Sequence, residues 1–175
     1  ELPGMGQELL AETLAILTRP DSARQLGPLS LRGAVTPVNA PCEARYTKRE
    51  DFLTLVNDSD YCIRGYAQEG VRLLDAGKSL PQSVLFHVQT LWLDPGFALI
   101  GLDSEPLHGL GRIVESAVAP RRAMLLGYTG GCICYTPDTA EMARGGYEAS
   151  SFYYGPWAGP LKPGLERLFS EAVAK

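Results

Sequence analysis

The chain has 175 residues, 45% of them apolar and 21% charged, with a formal net charge of −4. Those values exclude wholesale disorder and suit a single domain with a core of its own. No basic run exceeds Arg121-Arg122, so the electrostatic footprint of non-specific nucleic-acid binding is missing, and no apolar run reaches the roughly 18 residues of a transmembrane segment.

In chain order, Leu9, Leu10, Leu14, Ile16 and Leu17 recur at helical spacing and predict an amphipathic helix over Gly6–Thr18, ended by Arg19-Pro20. The opening "ELPGMGQELLAETLAIL" lacks an initiator Met and enters this helix at once, which leads to the expectation of a piece of a longer polypeptide. Leu29–Asn39 alternates apolar and polar residues over its first half and reads as a strand. Thr47 with Glu50 three residues on has the form of a capping box, opening a short helix to about Asn57. A second helical run covers Asp60–Ala76 and is closed by Gly77.

Gln82–Asp94 ("QSVLFHVQTLWLD") is a strand signal rich in Val, Phe, Leu and Trp. After the turn Asp94-Pro95-Gly96, Phe97–Ser104 is a continuous apolar strand, the pattern of burial on both faces. A helix is expected from Pro106 to about Val118, with proline in its first turn, and then another buried strand over Arg122–Thr129. Phe97–Thr129 therefore reads as one βαβ unit. Gly130-Gly131 breaks the chain, Pro137–Ala143 is a short helix, "YYGPWAGPLKPG" is loop, and Leu165–Ala174 is a terminal helix. The expected fold is α/β, a mixed sheet containing a βαβ unit with flanking helices, with residues 1–175 forming a single unit.

The four cysteines, Cys42, Cys62, Cys132 and Cys134, include no CxxC pair and have no histidine beside them, which argues against a zinc ribbon. Cys132 and Cys134 alternate with Ile133, share one face if the run is a strand, and are read as small buried side chains. A Cys42–Cys62 disulfide is left open by spacing alone.

Glu105 falls where a buried strand ends. In open α/β sheets, ligands gather beyond the carboxyl ends of strands, and the next parallel strand brings the Gly130–Tyr135 segment to the same edge. On the pattern alone, the preferred reading of Glu105 is a charge that merely suits a helix N-terminus. His108 stands three residues later, a metal spacing in helix bundles, but it occurs once and reads as a surface or hydrogen-bonded residue. His87, inside "LFHVQ", reads as packed or paired to backbone. Tyr147, after Gly145-Gly146, reads equally as an aromatic anchor on a turn.

The segment "ICYTPDTAEMARGGYEASSFYYGPW" resembles the tyrosine signature of the neutral/alkaline non-lysosomal ceramidases and their bacterial relatives. The order of elements resembles that family too: "GLDSEPLHGLGRIVESAV", then "RAMLLGYTGG", then "CICYTPDT". The likeness runs through most of the chain and is strongest from Ser79 to Pro156. It implies a zinc amidohydrolase hydrolysing an N-acyl amide such as a ceramide-like lipid. In the family one zinc is held by two histidines, a glutamate and a tyrosine. Glu105 matches the glutamate, Tyr135 the metal-binding tyrosine, and Tyr147 a second active-site tyrosine. Neither His87 nor His108 occupies the place of the family's histidines. The resemblance thus implies that the remainder of a larger catalytic domain supplies them, that Zn2+ is held in the complete domain rather than by this chain alone, and that the location is secreted or periplasmic.

Two departures stand out. Asp103-Ser104 replaces Pro-Gly before the glutamate, and Gly130-Gly131-Cys132 replaces a more polar, often aromatic segment, so the pocket wall differs from a ceramide site. The competing class is a non-catalytic α/β unit whose tyrosines pack as anchors.

Overall fold

In a computed structural model of the protein, residues 2–19 and 30–174 are described. The strand-forming runs assemble into a sheet of four strands in the order β1-β2-β3-β5. These are β1 (Arg32–Pro41), β2 (Ser83–Asp94), β3 (Phe97–Leu102) and β5 (Arg122–Leu126); a two-residue strand, β4 (Glu105–Pro106), precedes β5 in the chain. β1 and β3 lie antiparallel to β2, whereas β3 and β5 are parallel and joined through α4 (His108–Ser116). The sheet is mixed and contains the expected βαβ unit. β1 carries Pro37 and Pro41 and lies at an edge, where a residue unable to donate to a ladder is tolerated.

Register decides which side chains are buried. Val38 lies opposite Phe86, Val88 opposite Leu102, and Ile100 opposite Leu125. These residues share one face, and α4 and α6 (Leu165–Val173) cover it. Phe86 and Phe169 meet edge to face with ring centroids 5.5 Å apart. Each such fully buried side chain stabilises the fold by about 1.5–3 kcal/mol. The opposite face bears Val35, Leu91, Met124 and Leu126, all exposed. β3 is therefore not buried on both faces as expected, and β5, which ends at Leu126, is not a buried strand, because among the described residues no element covers that side.

A second cluster lies among α2 (Arg49–Leu53), α3 (Tyr61–Asp75) and a 3-10 helix, Glu148–Tyr154, around Phe52, Tyr66 and Phe152. Gly70 of α3 makes this contact possible, because a Cβ there would sit 2.4 Å from the Phe52 ring. The Tyr66 hydroxyl donates to the Trp157 carbonyl at 2.8 Å, tying α3 to the segment that follows the 3-10 helix.

Several elements differ from expectation. α1 spans Leu2–Thr18 and leaves its apolar stripe, including Leu9, Leu14 and Leu17, exposed. At α2 the cap is shifted by one residue: Asp51, not Glu50, accepts from the backbone of Thr47 and Lys48 at 2.9 and 2.8 Å. The expected helix start at Pro106 is wrong, because Pro106 pairs with Thr136 in a parallel ladder and α4 begins at His108. The 3-10 helix was not anticipated. Cys132 and Cys134 do not lie in a strand; Cys134 is buried and Cys132 is exposed. Cys42 and Cys62 are both free thiols, so no disulfide joins them. Among the described residues, no helix is long and apolar enough to cross a membrane.

Candidate active site at the edge between β4 and β6

Beyond the end of β3 the chain runs Asp103-Ser104-Glu105, where the Asp103 carbonyl accepts from the Ile133 N–H and the Ser104 carbonyl from the Tyr128 N–H, both at 2.9 Å. Glu105 N–H donates to the Cys134 carbonyl at 3.0 Å and Leu107 N–H to the Thr136 carbonyl at 3.2 Å. β4 thereby pairs in parallel with β6 (Tyr135–Thr136), with Glu105 directly opposite Tyr135. Beneath this pair the Ser104 and Thr136 hydroxyls, both fully buried, bond to each other at 3.0 Å. The two residues expected at one sheet edge are therefore neighbours, and the reason is a parallel ladder of backbone hydrogen bonds. Glu105 is in a strand rather than at a helix N-terminus, so the alternative of a charge suiting the first helical turn loses its premise.

The phenols around Glu105 record its presence. The Tyr128 hydroxyl is pushed up to about 12, chiefly by hydrogen bonding to the Glu105 carboxylate. Tyr135 is also raised, first by burial and then by hydrogen bonding to the same carboxylate. Both effects have the same sign, since a nearby negative charge and an apolar wall each disfavour the phenolate. Without a cation these groups stay protonated at neutral pH, and a cation among them reverses the balance.

Tyr147 approaches from the other side. Gly145 and Gly146, at φ 74° and 106°, turn the chain out of α5 (Thr139–Arg144), a backbone course that glycine adopts without a steric cost. The Tyr147 ring then meets Tyr135 edge to face, with centroids 5.6 Å apart and planes at 71°. Its hydroxyl bonds to that of Tyr154, and this contact is the largest cause of the upward shift of the Tyr154 phenol.

Sequence reasoning missed Tyr128 and Tyr154. The first lies in the run read as a strand over Arg122–Thr129, whereas β5 ends at Leu126 and Tyr128 falls outside it, and the second lies in a run read as loop.

The histidines lie apart from one another. His108 is the first residue of α4, and because Glu105 is not helical, the three-residue spacing between them carries no geometric meaning. Both nevertheless line one cleft of about 540 Å³, with Arg112, Glu115 and Tyr128. His87 pairs through Nδ1 with the Asp103 carboxylate at 2.8 Å, and its backbone N–H donates to both carboxylate oxygens at 3.0 Å. It is thus paired, as expected, but to a side chain that is nearly buried rather than to backbone.

The donors present are oxygen donors, a carboxylate and a phenol on directly paired residues; of the usual zinc ligands, Asp/Glu oxygen, His nitrogen and Cys sulfur, the carboxylate alone is represented in this pair. Among the described residues, no group of three or more His, Cys, Asp or Glu is placed to hold a metal ion.

These features define a mixed α/β protein with a carboxylate and several tyrosines gathered at one sheet edge. No family model matches the chain, and no curated protein matches it. Among solved structures, the chain is similar to neutral ceramidase from Pseudomonas aeruginosa at 19% identity and a TM-score of 0.40. That likeness covers 85% of this chain and 28% of the ceramidase, so the chain spans just over a quarter of its neighbour's length.

Proposed function

We propose that the chain carries part of the site of a zinc-dependent amide hydrolase acting on an N-acyl amide, ceramide-like in class. The observation that supports this reading most directly is the parallel pairing of Glu105 with Tyr135, the two residues that the ceramidase-like segment would assign to the metal. Glu105 and Tyr135 would supply two oxygen ligands, and histidines from the remainder of the catalytic domain would complete the set. When bound, zinc supplies Lewis acidity and a water of lowered pKa. Tyr147, edge-on to Tyr135, would turn its hydroxyl toward an oxyanion forming beside them, once it leaves Tyr154. The Asp103-Ser104 and Gly130-Gly131-Cys132 substitutions alter the wall, and the acyl chain and head group accepted would follow from that wall.

The test is hydrolysis of a fluorogenic N-acyl amide by the complete protein, with zinc content measured in parallel. Tyr135→Phe should lower kcat far more than it raises KM, because the ligand acts on the step that develops charge. Wild-type turnover with full zinc occupancy in Tyr135→Phe would remove the ligand assignment.

A second reading is favoured by one contact. The Tyr147 hydroxyl is already engaged by Tyr154, as in an aromatic anchor with no chemistry. Under that reading the edge is a binding or structural unit, and Tyr147→Phe would leave turnover unchanged. Under the hydrolase reading Tyr147→Phe costs at most about 10²–10³ in rate.

A further inference from the structure

Among the described residues Tyr128 alone, apart from glycines, has a positive φ, 54°. For a bulky side chain this region is unfavourable, because Cβ crowds the following carbonyl, and such residues persist only where the surroundings over-determine them. Here they do. Tyr128 N–H donates to the Ser104 carbonyl at 2.9 Å, and Thr129 N–H donates to the Leu102 carbonyl at 2.8 Å. Both bonds lash the turn to the few residues that lead into Glu105. Just before it, Gly127 lies so close to β4 that a Cβ would stand 2.9 Å from Pro106 Cδ and 3.2 Å from the Ser104 oxygen. The strain therefore serves one placement: it holds the Tyr128 side chain beside Glu105, on the wall of the cleft that both residues line. An asparagine or glycine would form the turn at lower cost. What a tyrosine adds is a ring and a hydroxyl.

We infer that Tyr128 is a positioning residue for Glu105, its hydroxyl bonding one carboxylate oxygen so that the other stays turned toward Tyr135. The inference rests on the zinc reading above only for its consequence, which is that the carboxylate is pre-oriented for a cation. Outer partners that orient metal ligands in this way are commonly worth 10–100-fold in metal affinity. Tyr128 touches no reacting atom in this scheme and acts through Glu105.

Two variants separate the hydroxyl from the backbone. Tyr128→Phe keeps the ring and the strained turn and removes only the donor. Tyr128→Asn relieves the turn and also removes the phenol. Two readouts are needed: titration of the complete protein, with the part of the catalytic domain that supplies the histidines, with Zn2+ alone by calorimetry, and the 13C resonance of the Glu105 carboxyl carbon in metal-free protein. In Tyr128→Phe the melting temperature should be unchanged, the carboxyl resonance should move, and zinc should bind roughly 10–100-fold more weakly. Tyr128→Asn should show the same zinc loss with a raised melting temperature. If the carboxyl resonance and the zinc affinity of Tyr128→Phe both match wild type, the inference is overturned. If Glu105→Gln binds zinc as tightly as wild type, or wild type takes up none, the zinc reading fails instead. The carboxyl resonance then decides for Tyr128 alone: a shift supports its role and no shift ends it.

Discussion

The covered face of the sheet and the edge at β4 and β6 are built on different principles. On the covered face side chains do the holding: Phe86, Val88, Ile100 and Leu102 are fully buried against α4 and α6. At the edge the backbone does it: Glu105, Leu107, Tyr128 and Ile133 each donate a main-chain hydrogen bond across the gap, and the Glu105, Tyr128 and Tyr147 side chains are left partly or largely in solvent. The difference teaches that the edge can change its chemistry without changing its shape. The core cannot change even its volume cheaply, since protein interiors are close-packed.

The largest expected effect breaks the core. Phe86→Ala should cost about 3–5 kcal/mol in urea unfolding, the loss of transfer energy plus a cavity against Phe169. Leu91→Ala, on the open face of the same strand, should cost well under half as much. Equal losses would mean that the open face is buried in solution and that the contrast between the two faces is false.

Alkaline pH acts next. Burial pushes the Cys42 thiol up to about 11 and Cys134 up to about 12. The unfolded thiols ionise near pH 9, so in this window the unfolded state has lost protons that the folded state keeps. Stability is therefore fully present below pH 9 and is lost as pH rises through the folded values, at up to about 1.4 kcal/mol per pH unit per thiol. Urea midpoints measured from pH 8 to 11 should fall, and the fall should be shallower in Cys134→Ala. A flat profile would show that these thiols are not buried.

Beneath the edge, Thr136→Val leaves the buried Ser104 hydroxyl without its partner and should cost about 1–3 kcal/mol. This tests where the side-chain-built interior gives way to the backbone-built edge. The smallest effects belong to the edge itself. Glu105→Gln and Tyr135→Phe should each shift stability by no more than about 0.5 kcal/mol, whatever they do to zinc or turnover. A larger loss in either would show that the pair is part of the structure rather than a group held by it. In the same spirit, a thiol reagent should modify exposed Cys132 quickly and buried Cys134 only on unfolding, although they are two residues apart.

Much of the fold is legible locally. β2 and β3 are marked by strand-forming composition and an unbroken apolar run, and apolar spacing marks α1 because a side chain's face follows from a period of 3.6 that neighbouring residues set by themselves. Glycine and proline mark the turns at Asp94-Pro95-Gly96 and Gly130-Gly131 for the same reason. The order strand, helix, strand places the ends of β3 and β5 on the same side, but Glu105 and Tyr135 meet through a separate two-stranded ladder, β4 with β6, that this order does not specify.

What only the tertiary structure decided are the matters that depend on which backbone lies alongside which. Pro106 left the helix because Thr136 offered its neighbour a ladder partner, and Cys132 left the interior because its segment bonds back to Asp103 instead of entering the sheet. His87 found Asp103 sixteen positions away across an antiparallel pair. Tyr128, in the run read as a strand over Arg122–Thr129, lies instead beyond β5 on the wall of the cleft that Glu105 also lines, and two long-range hydrogen bonds hold that turn in a conformation that its own residue type disfavours.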